Sequence, residues 1–380
     1  MAREIKFSLV YRDMWQSSGK YVPRVDQLEE VAPAIIDMGC FDRVETNGGA
    51  FEQVNLLFGE NPNVAVRRWT APFHKAGIQT HMLERGLNAL RMNPVPADVR
   101  ELMYKVKKAQ GTDIARSFCG LNDHRNLKLS VEYAKKAGMI SQVALSITHS
   151  PVHTVEYYMG IVDKVVEYGC DEICLKDMAG VGRPTFLAEL TSCIKKKYPH
   201  ILVQYHGHTG PGFSPASMLE VARAGADYLD VAVEPLSWGK IHPDVITIRE
   251  MMRADGFLVK DLNMDAYMEV RRRFPRILDQ SFEPPDVVAA RRLRPPGRND
   301  GFNDGRPEGI PSCHQCFRTR SRTSGNQSGH VDGQAVRRST ICLAETGLPS
   351  AGNAVQPVCE EHFPHEPAER PQRQAEVDHH

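Results

Sequence analysis

Along the first three-quarters of the chain, short apolar runs alternate with longer stretches in which apolar residues recur every three or four positions. The short runs read as strands: IKFSLVYRD (5–13), RVETNG (43–48), IQTHMLERG (78–86), IARSFCGL (114–121), ISQVALSIT (140–148), EICLKDMAG (172–180), LVQYHGHTG (202–210) and YLDVAVEPL (228–236). The longer ones read as amphipathic helices. In VDQLEEVAPAIIDMG (25–39), Leu28, Val31, Ile35 and Met38 share one face and Gly39 is the stop. Stretches 96–111, 125–139, 153–169, 184–199 and 214–226 follow the same spacing. Pro96, Pro184 and Pro215 sit near helix starts, where a missing N–H costs least.

Eight strand–helix units over about 270 residues predict an α/β fold of the (β/α)8 TIM barrel type. A doubly wound open sheet is the structural alternative, but no Gly-rich phosphate loop follows the first strand. In a barrel the working side chains stand at the C-terminal ends of the strands. The polar residues collect there: Arg12 and Asp13, Glu45, Arg85, Lys176 and Asp177, His206 and His208.

His206-Gly207-His208 places two imidazoles on one side of a strand, where both can reach one metal ion. Asp13, expected at the end of strand one and so close to strand seven in a closed barrel, adds a carboxylate. Three N and O donors with open positions describe a catalytic Lewis-acid site. Lys176 follows the apolar Ile173, Cys174 and Leu175, at a place where a charge carries a desolvation cost. An ammonium has no lone pair for a metal. Lys176 is either an ion-pair partner of Asp13 or Asp177, or a carbamate formed with carbon dioxide that carries anionic oxygen donors. Periodicity leaves both open.

Composition changes the picture in two places. Lysine plus arginine equals aspartate plus glutamate, 47 each, so no global field points to nucleic acid or an anionic membrane. No apolar run approaches the ~20 residues of a membrane span, and the start, MAREIKFSLVYRD, lacks a secretory pattern. Direct membrane insertion is not expected. The cysteines form no disulfide framework, which fits buried thiols in a reducing cytoplasm. From Arg276 onward the chain is rich in Arg, Pro, Gly, Ser and His with almost no apolar periodicity, so a boundary is expected near 275 and a disordered tail over 276–380.

Seven spaced motifs, YRDMWQS (11–17), VETNGGA (44–50), ERGLNA (84–89), SFCGLND (117–123), CLKDMAG (174–180), HGHTGPG (206–212) and DVAVEPLS (230–237), resemble in order those of the biotin-dependent carboxyltransferases. That family includes the carboxyltransferase domain of pyruvate carboxylase, the α subunit of oxaloacetate decarboxylase and the core subunit of transcarboxylase. The resemblance covers roughly 5–275, so residues 1–275 read as a carboxyltransferase-type barrel. It implies a divalent metal (zinc, manganese or cobalt) held by Asp13, His206, His208 and a carbamylated Lys176. It implies that Gln16 and Arg85 hold a keto-acid substrate. Arg12, beside them, reads either as a hydrogen-bonding fork that orients Asp13 or as a purely structural ion pair. Arg85 could instead pair with Glu45 or Glu84. The implied reaction moves a carboxyl group between biotin and a keto acid such as pyruvate or oxaloacetate. No biotin-attachment lysine in an A-M-K-M-like setting occurs, so biotin is expected on a separate carrier protein or biotin carboxylase subunit. A homodimer is expected. The chain departs from the family pattern at Cys119, where an acidic residue is usual, at Asn47, and at Thr209, Gly210, Pro211 and Gly212 after the H-x-H. These departures bear on the acyl acceptor and leave the ligand set intact.

Family members continue into a helical segment with an L-P-G-G-M stretch, which the tail lacks. Back-translated and read one base later with permitted codons, Pro295 to Cys313 gives L-P-G-G-M-M-G-S-M-M-A-D-L-K-G-F-H-P. The tail is therefore read as an out-of-frame remnant, with the frameshift between about 271 and 294. Two other functions are open from the sequence. One is a metal-dependent aldol-type lyase or synthase of the hydroxymethylglutaryl-CoA lyase or isopropylmalate synthase type, which needs neither Lys176 nor Gln16. The other is a truncated, catalytically dead assembly subunit.

Overall fold

The computed structural model describes residues 2–18, 23–49, 51, 52, 55 and 59–279. The tail expected from 276 lies, beyond Asp279, outside the described residues, as does the frameshift reading of Pro295 to Cys313.

Eight parallel strands close into a barrel in sequence order: β1 (Lys6–Leu9), β2 (Phe41–Gly48), β3 (Gln79–Glu84), β4 (Ile114–Phe118), β5 (Ile140–Ser146), β6 (Glu172–Asp177), β7 (Leu202–Gly207) and β8 (Tyr228–Val231). β1 pairs with both β2 and β8, with Ser8 opposite Asp230 and Leu9 opposite Val231, which seals the sheet. The TIM barrel read from the alternation is the observed architecture.

The α-helices among the described residues include α1 (Tyr11–Ser17), α2 (Val25–Asp37), α3 (Pro62–Lys75), α4 (Ala97–Ala109), α5 (Lys128–Lys136), α6 (Val155–Glu167), α7 (Pro184–Lys197), α8 (Ser214–Ala224), α9 (Val245–Ala254) and α10 (Met264–Asp279). Gly39 ends the α2 region at φ +72°, a left-handed conformation that favours glycine. α3 was not assigned from the sequence, where Pro72 lies inside it, although Ala65, Val66, Trp69 and Phe73 recur at helical spacing. α10 runs through position 275, so the patterned chain continues one turn past the expected boundary.

One correction concerns the first strand. It does not extend over 5–13 but stops at Leu9, and Arg12 and Asp13 lie on α1. Tyr11, Met14 and Trp15 form the buried apolar side of α1. Tyr11 packs against Trp69 with ring centroids 4.9 Å apart, and Trp15 against Phe274 at 5.5 Å. Burial of that aromatic side offsets the ordering cost of a seven-residue helix that could not stand alone.

The strands are buried on both faces. Residues such as Leu9, Val44, Leu145, Ile173, Leu175 and Val203 join the apolar cluster between barrel and helices. The alternate residues line the barrel axis, where polar side chains surround a small apolar cluster of Leu83, Phe118, Ala144 and Cys174. Arg43 grips both oxygens of Glu172 at 2.7 and 2.8 Å and donates to Gln204 at 2.9 Å. Gln142 donates to Glu172 at 2.7 Å and accepts from Arg116 Nε at 2.5 Å. Arg116 then reaches Asp230 at 2.6 Å. A hydrogen-bonded column thus rises along the axis toward the C-terminal strand ends.

Candidate metal centre and substrate ledge

At the top of that column Asp13, His206, His208 and His242 are all buried, and one donor atom from each lies within 4.8 Å of the others. Asp13 is aimed by two bonds: Ser17 Oγ donates to its Oδ1 at 2.6 Å, and its backbone N–H donates to Glu45 at 3.2 Å. Its Oδ2 faces His206 Nε2 at 3.1 Å and His208 Nε2 at 3.5 Å.

Both imidazoles are held from behind. His206 gives its Nδ1 proton to Asp230 at 2.7 Å, and His208 gives its Nδ1 proton to the Lys240 carbonyl at 2.9 Å. That fixes the tautomers, leaving bare Nε2 lone pairs turned toward the Asp13 carboxylate. Lone pair facing carboxylate is a meeting of acceptors, which a bound cation reconciles. Carboxylate and imidazole donors suit zinc, manganese or cobalt, so the residues present fit a divalent metal.

Lys176 reaches into the same place. Its Nζ lies 2.9 Å from His206 Nε2 and 3.9 Å from Asp13 Oδ2. Burial pulls the Lys176 ammonium below its usual range, with Asp13 and Glu45 opposing. Burial and the neighbouring Lys176 lower His206, favouring the neutral imidazole. Asp177 is not the partner of Lys176. It turns away to accept the N–H groups of Val181 and Gly182 at 2.9 and 2.8 Å.

Beside the cluster lies a ledge made by β2 and β3. Arg12 Nε donates to Glu45 at 3.0 Å and Arg12 Nη1 donates to Gln16. The fork expected between Arg12 and Asp13 is not formed: the closest approach is 3.7 Å, because Glu45 takes the guanidinium instead. Gln16 is exposed at the mouth. Arg85 is half-buried and donates to the Arg91 carbonyl at 3.1 Å. It makes no ion pair with a carboxylate among the described residues. Glu45 is engaged by Arg12, and Glu84 accepts from the Gly86 N–H at 3.0 Å. The glycine pair of VETNGGA explains the close fit. A Cβ on Gly48 (φ +145°) would stand 2.8 Å from the Leu83 carbonyl, and one on Gly49 would stand 2.8 Å from the Arg85 guanidinium carbon.

The structure therefore brings together Asp13, Lys176, His206 and His208 at one point, with Arg12, Gln16 and Arg85 along the adjoining ledge. Sequence reasoning missed His242, which stands in the loop after β8, and Asp230 and Arg116, which back His206. Asp230 opens the motif DVAVEPLS, and its alternation with Tyr228 was the available signal. His242, preceding Pro243 in an irregular loop, offered none.

The family model described as HMGL-like matches residues 123–237 of this TIM barrel. Among curated proteins, a pyruvate carboxylase subunit from Methanocaldococcus jannaschii is 31% identical over 270 residues, covering 70% of this chain and 47% of that protein. The methylmalonyl-CoA carboxyltransferase 5S subunit of Propionibacterium freudenreichii is 30% identical over 248 residues, covering 65% and 48%. Among solved structures, the carboxyl transferase domain of Rhizobium etli pyruvate carboxylase with pyruvate superimposes with a TM-score of 0.65 at 20% identity, covering 76% of this chain and 50% of that one. The chain spans about half the length of the curated relatives it matches. In its barrel the chain belongs to the biotin-dependent carboxyltransferase family that its motifs resemble.

Proposed function

We propose that this barrel is a metal-dependent carboxyltransferase that moves a carboxyl group between biotin and a keto acid of the pyruvate or oxaloacetate kind. The observation that carries the reading is Lys176, a buried lysine with its Nζ 2.9 Å from His206 Nε2 inside the donor cluster. A carbamate there would convert a misplaced cation into an anionic donor, which the aldol-type chemistry does not require. The names of the pyruvate carboxylase and carboxyltransferase relatives support the same reaction.

In this reading Asp13, His206, His208 and carbamylated Lys176 hold zinc, manganese or cobalt, which when bound supplies positive charge for the oxyanion that develops on the keto acid. Arg85 has no carboxylate of its own and grips the substrate carboxylate bidentately. Gln16 and Arg12 flank the keto group, orienting the methyl carbon toward the biotin ureido ring. In the transfer, the bond between biotin N1 and the carboxyl carbon breaks, that carbon bonds to the substrate's methyl carbon, and the methyl proton passes to N1. Biotin arrives on a separate carrier domain or subunit, and the barrel works as a homodimer.

The test is oxaloacetate decarboxylation by the purified, metal-loaded chain, with and without free biotin. We expect activity that biotin stimulates and that Arg85→Gln weakens mainly through KM. A folded, metal-loaded protein without such activity overturns the reading. Cleavage of an acyl-CoA thioester substrate in its place would select the aldol-type lyase, and a folded protein that takes up no metal would select the assembly subunit.

A further inference from the structure

His242 is the part of the cluster that the carboxyltransferase reading leaves unused. It lies in the loop between β8 and α9, and that loop is tied down on both sides of it. The Trp238 N–H donates to the His242 carbonyl at 2.8 Å, and the Ile241 N–H donates to the Trp238 carbonyl at 2.8 Å. The Ala232 N–H donates to the Pro243 carbonyl at 2.9 Å, and Asp244 caps α9 through the Ile246 N–H at 2.8 Å. The same loop is stitched to the end of β7, since the Thr209 N–H donates to the Ile241 carbonyl at 2.7 Å and His208 Nδ1 to the Lys240 carbonyl. The His242 backbone is therefore fixed beside the two other imidazoles. Its ring centroid stands 4.3 Å from that of His206 and 4.2 Å from that of His208.

The ring is fully buried, and neither of its nitrogens has a hydrogen-bond partner among the described residues. An unsatisfied buried polar group costs about 1–3 kcal/mol, and His206 and His208 escape that cost through Asp230 and Lys240. His242 has no such backing group. What its position offers is the shared centre, where its donor atom lies within 4.8 Å of the Asp13, His206 and His208 donors. An ion with bonds of ~2.0–2.1 Å would draw such atoms to roughly 3–3.4 Å, with three nitrogens and one oxygen as donors and a higher coordination number leaving a position for the Lys176 carbamate.

We infer that His242 is a metal ligand of this barrel, completing a set with Asp13, His206 and His208 that needs no carbon dioxide. The inference rests on the proposal that the cluster binds a metal, and goes beyond it by providing a fourth protein donor besides Lys176. Occupancy of the centre then survives without bicarbonate, and the carbamate on Lys176 becomes an addition to an assembled site.

The test is Co(II) titration of the full chain in degassed, bicarbonate-free buffer, reading affinity by chelator competition and coordination by the visible ligand-field spectrum. The wild type should bind one cobalt. His242→Ala and His242→Gln should weaken binding by about tenfold or more, since even a lost outer partner of a ligand costs about that much, and should alter the spectrum. Lys176→Gln should not weaken binding in that buffer, because it removes an ammonium 2.9 Å from His206 Nε2 and takes away no donor. Because the His242 loop is held through its backbone, the side chain can be replaced while circular dichroism and thermal unfolding verify the fold. If both His242 variants bind cobalt with wild-type affinity and spectrum while His206→Ala does not, this inference falls and the metal site stands. If the wild type binds no cobalt, or His206→Ala binds it unchanged, the metal reading falls as well.

Discussion

The inner and outer faces of the barrel strands are both buried but differ in chemistry, the inner one carrying most of the charged pairs. On β6 the outward Ile173 and Leu175 join the apolar layer under the helices, while the inward Glu172 and Lys176 belong to the axial column and the donor cluster. The outer face is stabilised by area removed from water and tolerates changes of shape. The inner face is held by paired charges, each of which is costly once its partner is gone. The difference gives the fold a division of labour. The shell supplies stability, and the column delivers fixed hydrogen-bonding groups to the cluster, ending in the Asp230–His206 bond of 2.7 Å.

The sharpest way to break that contrast is at the base of the column. Arg43 holds Glu172 with two bonds and stacks over the Tyr228 ring, 3.6 Å from its centroid. Arg43→Met leaves a buried carboxylate without its counter-charge, so a loss of about 3–5 kcal/mol is expected in denaturant unfolding. Arg43→Met combined with Glu172→Met should recover much of it, because the cost lies in the orphaned charge. A single mutant within about 1 kcal/mol of wild type would show that the column is not sustained by charge pairing.

Next in size is a pH effect at the rim. Burial pushes the Glu84 carboxyl up to about 7, against the opposing influence of Arg100. A raised folded-state value means that the associated stability is fully present below the unfolded value of 4.5 and is lost as pH rises to about 7. Glu84→Gln does not titrate, so its stability relative to wild type should be about 3 kcal/mol more favourable at pH 8 than at pH 4. An identical difference at both pH values would mean that Glu84 ionises inside the fold as it does in the open chain.

The third prediction links column to cluster. Asp230→Asn keeps the shape but removes the charge that fixes the His206 tautomer, so cobalt affinity should fall about 10–100-fold. Equilibrium dialysis would measure this, and unchanged affinity would separate the column from the metal site.

Legibility in the sequence followed the same division. Alternating apolar runs made the closed barrel readable, because most strands keep apolar residues at their outward positions, as Phe7 and Leu9 do on β1 and Ile173 and Leu175 on β6. The axial polar residues fell between those positions and looked like interruptions, which is why Arg116 and Asp230 went unassigned although Glu45, Lys176 and the H-x-H stood out at strand ends. Asp13 was readable as a donor but not as a helical residue. The apolar run through Val10 and Tyr11 looks like continued strand, and only the packing of Tyr11 on Trp69 and of Trp15 on Phe274 shows that the chain has turned into α1. His242 was invisible because its place depends on backbone hydrogen bonds within an irregular loop, which no side-chain periodicity encodes.

The smallest expected effect is the control for the contrast itself. Ile173 lies on β6 three residues before Lys176, is fully buried, and points into the shell. Ile173→Val removes one methylene from a packed apolar layer, so it should cost about 0.5–1.5 kcal/mol in unfolding experiments. Cobalt affinity should stay at wild type, because the deleted group touches the helix layer and no member of the column. The pairing of β6 with β7 sets Ile173 opposite Val203 and Lys176 opposite His206, so a backbone shift at the first pair would have to travel along the strand to disturb the second. If Ile173→Val weakened cobalt binding as much as Asp230→Asn, the strand would be transmitting shell packing to the cluster, and the two faces would have to be treated as one coupled unit.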